Sequence, residues 1–204
     1  MWSVSTLDQD ASARPYHHGD LKAALLAAAA QLLAEGGLTA ISLREVARRA
    51  GVSHNAPYRH FPDRDSLLAA LAAQAFHELA DWTRKDGTQG LAALGQGYVG
   101  FALAQPGRFA LMFSSGLDKA RYPELQQAAT ALYQLLGQAV RAAAPARDPQ
   151  VATLAAWSLV HGLAQLLLDR QLSETMRGGL STTELSERVT RMFTDSLQQP
   201  VGRA

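Results

Sequence analysis

Residues 42–64 read SLREVARRAGVSHNAPYRHFPDR. Ser42-Leu43-Arg44-Glu45 has the form of a capping box, in which the Ser42 hydroxyl accepts from the Glu45 N–H and the Glu45 carboxylate returns to the Ser42 N–H, so a helix is expected from Leu43. Gly51 can take the backbone conformation that closes this helix. Val52-Ser53 then leads into another short helix that ends at Phe61-Pro62, because proline disfavours helical geometry in the residue before it. Two short helices about a tight turn form a helix-turn-helix. The residue types suit it: Ala47 is small where the helices cross, Val46 and Val52 can plug a small core, and Ser53 can cap the second helix and reach a phosphate. Pro57 removes an N–H from the second helix, whose regular part is therefore expected to start at or just before Pro57 after a looser first turn.

Upstream, Leu21, Leu25, Ala28 and Leu32 recur at helical spacing, with Asp20 as a cap and Gly36-Gly37 as a stop. Residues 1–18 are polar and aperiodic, which predicts a flexible arm. Downstream, Asp63 caps a long helix carrying Leu67, Leu68, Leu71, Ala75 and Leu79, and the charged stretch 84–90 ends it. Further helices are expected at about 91–104, 106–114, 123–144, 149–172 and 182–198. Three of them begin with proline, whose missing N–H has no helical partner at that position anyway, and Asp148 and Ser181-Thr182-Thr183-Glu184 supply caps. The expectation is an all-α chain of about nine helices. It divides into an arm at 1–18, a helix-turn-helix domain at 19–66 and a helical sensing and dimerisation domain at 67–200.

Composition agrees. Alanine and leucine crowd nearly every segment while aromatics are only 7%, a bias that favours helices over sheets, and 48% hydrophobic residues over 204 suffice for a large core. The chain has no cysteine, which excludes disulfides, thiolate metal sites and a cysteine nucleophile. Neither a signal peptide nor a run of apolar residues long enough for a membrane span is seen, so a soluble cytoplasmic protein is expected. Net charge is only +1, so nucleic-acid binding has to be argued from local charge. Five arginines (44, 48, 49, 59 and 64) fall between residues 44 and 64 against Glu45 and Asp63. Arg48 and Arg49 read more simply as a solvated helix face, and Phe61 as core.

The stretch from Leu43 through Arg64 closely resembles the signature of the tetracycline-repressor (TetR) family, and the resemblance extends over residues 19–71. It implies that Arg44, His54, Asn55, Ala56 and Arg59 face base edges and that Tyr58, His60 and Arg64 grip phosphates. Side-chain chemistry fits these roles: Arg44 and Arg59 can fork onto guanine, Asn55 suits adenine, the Ala56 methyl can meet that of thymine, and Arg64 is placed for phosphate. Pro57 departs from the family pattern, which has Leu, Ile or Thr there. The arm residues 14–18 could enter a minor groove or simply form a leader.

In the larger domain, Trp157, His161 and Gly162 resemble the marker of a TetR subgroup. Trp157 and His161 share a helix face; the two readings are ordinary core, or the wall of a ligand cavity with Tyr98, Phe101, Phe109, Met112, Phe113 and Tyr133. The last helix carries an apolar stripe of Leu185, Val189, Met192, Phe193 and Leu197. With the apolar helix before it, it should form a four-helix bundle across the axis of a homodimer, the arrangement that the TetR resemblance implies and a two-fold DNA site requires. The expected partners are an operator in double-stranded DNA, a second copy of the chain and a small-molecule effector. No metal and no cofactor are expected, since His17-His18 stands isolated in the arm. No HExxH, GxSxG or P-loop is present, which argues against an enzyme. A repressor is the leading expectation; an activator of the same fold, or a helical adaptor without effector, is the alternative.

Overall fold

A computed structural model describes residues 21–84, 90–114 and 116–199. The arm at 1–18 and the expected cap Asp20 lie outside the described residues. Among those described there are nine α-helices and no strand. Leu21–Gly36 (α1) buries Leu21, Leu25, Ala28 and Leu32, as its spacing predicts, and stops at Gly37 with φ 68°. After a 3₁₀ turn at Leu38–Ala40 comes α2, Leu43–Arg49, where the Ser42 hydroxyl accepts from the Glu45 N–H at 3.1 Å. The other half of the capping box does not form. Glu45 turns to Arg48 instead, at 2.8 and 2.6 Å, because a charged donor one turn along its own helix makes a stronger bond than a neutral amide.

Gly51, at φ 68°, donates to the Arg48 carbonyl and Val52 to the Ala47 carbonyl, so the α2 end closes with a left-handed cap. The expected second short helix does not form after it. Residues 53–60 make turns around a single 3₁₀ segment, Pro57–Arg59. The cause is Pro57: it has no N–H to give the Ser53 carbonyl, which accepts from Ala56 in a tighter turn at 2.9 Å. Ser53 caps no helix here.

Asp63 opens α3, Arg64–Trp82, with a complete capping box to Ser66. It buries the whole expected series from Leu67 to Leu79, together with Phe76. The remaining helices are α4 (Leu91–Ala104), α5 (Pro106–Met112), α6 (Pro123–Ala143), α7 (Pro149–Leu168), α8 (Glu174–Arg177) and α9 (Thr182–Gln198). Proline starts α5, α6 and α7; Asp148 caps α7, and Ser181 and Glu184 form the expected box on α9. The helix expected to run to 172 ends at Leu168, where Arg170 turns left-handed at φ 54° and Gln171 donates to the Leu166 carbonyl. The brief α8 comes next.

Helix α4 lies at the centre of the larger half, against α3, α5, α6, α7 and α9. Its closeness to its neighbours depends on glycine. A Cβ at Gly95 would stand 2.8 Å from the Thr190 methyl, and one at Gly97 would stand 2.9 Å from the Thr83 Cα. One continuous apolar core runs from Leu25 and Val46 through Leu71 and Phe76 to Phe101 and Phe109. The helix-turn-helix unit and the larger half are therefore not separated by solvent. Helix α7 is long and apolar enough to cross a bilayer by composition, with mean hydropathy 1.6, yet it is packed against α4, α6 and α9. Its opposite face stays open, with Val151 67%, Leu154 54% and Leu166 44% exposed.

Candidate nucleic-acid interface and ligand cavity

Around the turn, Arg44, Ser53, His54, Asn55, Tyr58, Arg59 and His60 are all exposed, and Ala56 is half-buried. Pro57 and Phe61 are buried, and Phe61, at 2% exposure, joins the core that α1, α2 and α3 share. The five arginines do not form one pool of positive charge. Arg48 is bound to Glu45, and Arg49 to Glu35 at 2.8 and 2.6 Å. Each guanidinium holds its partner carboxyl below the ordinary carboxylate range through these hydrogen bonds.

Arg64 has a different partner from the phosphate the resemblance implies. It is half-buried and donates to the carbonyls of Ile41 at 2.8 Å and Leu38 at 2.6 Å, so it ties the start of α3 to the α1–α2 connection. Both carbonyls belong to the α1–α2 connection, that of Leu38 already accepting from the Ile41 N–H at 3.3 Å, and a guanidinium fork fits the two at once. Arg44 and Arg59 are thus the arginines left without a protein partner among the described residues of this segment.

The larger half contains a cavity of about 420 Å³, within the range of small-molecule sites. Of the eight residues expected around it, Tyr98, Phe113, Tyr133 and Trp157 line it. Phe101, Phe109 and Met112 do not: they are 1, 2 and 1% exposed and belong to the core, Phe109 packing behind Tyr98 and Phe113. His161 also stands behind the wall. Its ring packs on Phe113 at 4.7 Å and on Phe109 at 5.6 Å, and its Nδ1 lies 2.8 Å from the Tyr98 hydroxyl. Burial pushes the Tyr98 phenol up and the His161 imidazole down. At neutral pH a protonated phenol and a neutral ring therefore share this bond, its direction following the imidazole tautomer, and the Trp157 Nε1–H donates to the same hydroxyl at 3.4 Å.

Several wall residues carried no sequence expectation as such: Leu91, Leu94 and Gly95 on α4, Thr190, Phe193 and Thr194 on α9, and Lys119. Only Phe193 carried a signal, as part of the apolar stripe of the last helix.

Comparison with known proteins agrees with this geometry. Residues 25–71 match the family described as bacterial regulatory proteins, tetR family, and residues 91–193 match the tetracyclin repressor-like C-terminal domain. An HTH-type transcriptional regulator of Mycobacterium bovis is 33% identical over 91 residues, covering 41% of this chain and 39% of that protein. An HTH-type transcriptional repressor of Mycobacterium tuberculosis is 40% identical over 57 residues, or 28% of this chain and 30% of that one. The chain thus spans less than half the length of these curated relatives. A solved structure from Rhodococcus sp. RHA1, of a protein with unknown function, is 33% identical, with TM-score 0.75 over 91% of this chain and 100% of that one. With one family model matching the helix-turn-helix and the other half the chain, the protein belongs to the TetR family of DNA-binding transcriptional regulators.

Proposed function

We propose that the chain works in the cytoplasm as a homodimeric repressor, reading a near-palindromic operator and releasing it when a small molecule occupies the cavity. Arg44, His54, Asn55, Ala56 and Arg59 face the bases, and Ser53, Tyr58 and His60 face the phosphates. Residues 19–66 form the reading unit and 67–200 the sensing unit, whose Trp157, His161 and Gly162 support its membership of the Trp-His-Gly subgroup.

The observation that carries the coupling is the path of α3. It begins at Arg64, fastened to the reading unit, and twelve residues later brings Phe76 into the cavity wall, about 18 Å along the helix. Helix α5 offers a second path. It packs on α1 so closely that a Cβ at Gly107 would stand 3.4 Å from Leu33, Phe109 packs on the wall residue Phe113 at 5.0 Å, and Arg108 pairs with Glu78 of α3 at 2.6 Å. A ligand that displaces Phe76 or Phe113 shifts elements on which the reading unit rests. In a dimer, a small tilt would spoil the fit to successive major grooves about 34 Å apart.

The open face of α7 supports the dimer. Val151, Leu154 and Leu166 form an apolar strip with Ala155, Ser158 and Gly162, and a Cβ at Gly162 would meet nothing within 4 Å. On α9, Met192 is likewise open, at 67% exposure.

Base reading is tested by mutation. Arg44→Ala and Asn55→Ala are each expected to relax preference at particular base pairs, with a loss of about 1–3 kcal/mol on the selected operator and little on unrelated DNA. Titration of operator variants checks this, and an equal loss on every sequence would remove both residues from base contact.

A further inference from the structure

Lys119 is the only residue with a formal charge among the described residues lining the cavity. It sits half-buried on the 3₁₀ turn Lys119–Arg121, just before α6, with its Nζ 5.5 Å from the ring centroids of both Phe76 and Phe113. No carboxylate pairs with it among the described residues. The adjacent Asp118 is occupied instead with the Ala120 N–H at 3.0 Å. Burial lowers the pKa of Lys119, so its ammonium has lost part of its water, and the two ring faces stand in for it without supplying a charged partner.

The other polar groups deep in the wall are satisfied within the protein. Thr83 donates to the Ala80 carbonyl at 2.9 Å, Thr190 to that of Ser186 at 2.8 Å, and Thr194 to that of Thr190 at 2.9 Å. The Tyr98 hydroxyl is held by His161 and Trp157. Unused polar groups gather at one end, where Gln126 in the first turn of α6 and Thr130 one turn on stand exposed near Lys119. The other end is apolar, since Leu91, Leu136 and Phe193 belong to a hydrophobic cluster of their own. Between the two ends the wall runs along α6 from Gln126 to Leu136, about 15 Å.

We propose that the cavity takes an amphipathic organic anion, an unbranched or ring-bearing apolar body that lies along α6 and ends in a carboxylate paired with Lys119. This rests on reading the cavity as the effector site. The carboxylate would give the ammonium the charge-assisted hydrogen bond it lacks, and the apolar body would cover Leu91, Leu94, Leu136 and Phe193.

Binding of decanoate, decanol and decyltrimethylammonium to the full chain without DNA, measured by calorimetry, tests the proposal. The expected result is decanoate bound about tenfold or more tightly than either other probe, a difference of about 1.4 kcal/mol. Lys119→Met should erase that preference while leaving decanol within about twofold, and Lys119→Arg should keep it. Equal affinity for decanoate and decanol in the wild type, no binding of decanoate, or unchanged decanoate affinity in Lys119→Met would overturn the proposal. Operator affinity is measured separately. Lys119-dependent decanoate binding that leaves the operator bound would uphold the head-group pairing and refute the effector reading. Release by decanol, indifferent to Lys119→Met, would do the reverse.

Discussion

Replacing Gly162 by Leu is expected to leave each monomer folded, to convert the dimer into monomers at micromolar concentration, and to lower operator affinity by about 10²–10⁴. Within one chain the new side chain has room, since nothing lies within 4 Å of the Cβ position. Leucine should even favour α7, because glycine in a helix interior is about 1 kcal/mol worse than alanine. At a two-fold interface the same side chain enters twice, and each intrusion into a packed surface costs about 1–3 kcal/mol. Loss of the second reading unit then removes the gain from binding two half-sites together. Sedimentation and circular dichroism on the same sample check this; a helical dimer that still binds operator would place the interface elsewhere.

Trp157→Leu is expected to leave operator affinity within a few-fold of wild type but to abolish the response to ligand. Its ring is half-buried in the cavity wall, 6.1 Å from Tyr133 and 6.3 Å from Phe113, and it donates to Tyr98. Leucine would enlarge the cavity and loosen the wall, so a ligand could enter without pressing on Phe113 and the helices behind it. An effector can shift the protein only by its differential affinity for the two states, typically about 1–3 kcal/mol, or 5–150-fold in operator affinity. The wild type should show a change of that size for at least one member of a panel of apolar ligands and the variant none. Equal responses would remove Trp157 from the signalling path.

The sequence made the helix starts legible because their causes are local. Proline at the first position, Asp63, Asp148 and Ser181 act within one turn, and the structure puts helices where they stand. Features decided at longer range were not legible. Arg64 meets carbonyls 23 and 26 residues away, a pairing that depends on how α3 crosses the α1–α2 connection. Glu45 had two local partners to choose from, and the charged one won. The segment after Gly51 was half legible: Pro57 announced a disturbed helix, but that only a 3₁₀ turn would remain depended on Ala56 taking over the Ser53 carbonyl.

The cavity shows the same division. An aromatic on a predicted helix reads alike whether it fills core or faces a void, so Phe109 and Tyr133 could not be separated before α4, α6 and α7 were placed. Lys119 carried no signal, because it lies in a connection without period and gains meaning only from Phe76 and Phe113.

The most direct test of the central claim is selection of duplexes from a randomised pool by the purified protein, with titration of the enriched sequence across salt. The predicted result is enrichment of two inverted half-sites about one helical turn apart, with affinity falling steeply as salt rises, by about 0.9 in log–log slope for each phosphate neutralised. Recovery of random sequences only, or of a single half-site bound by one chain, would contradict it.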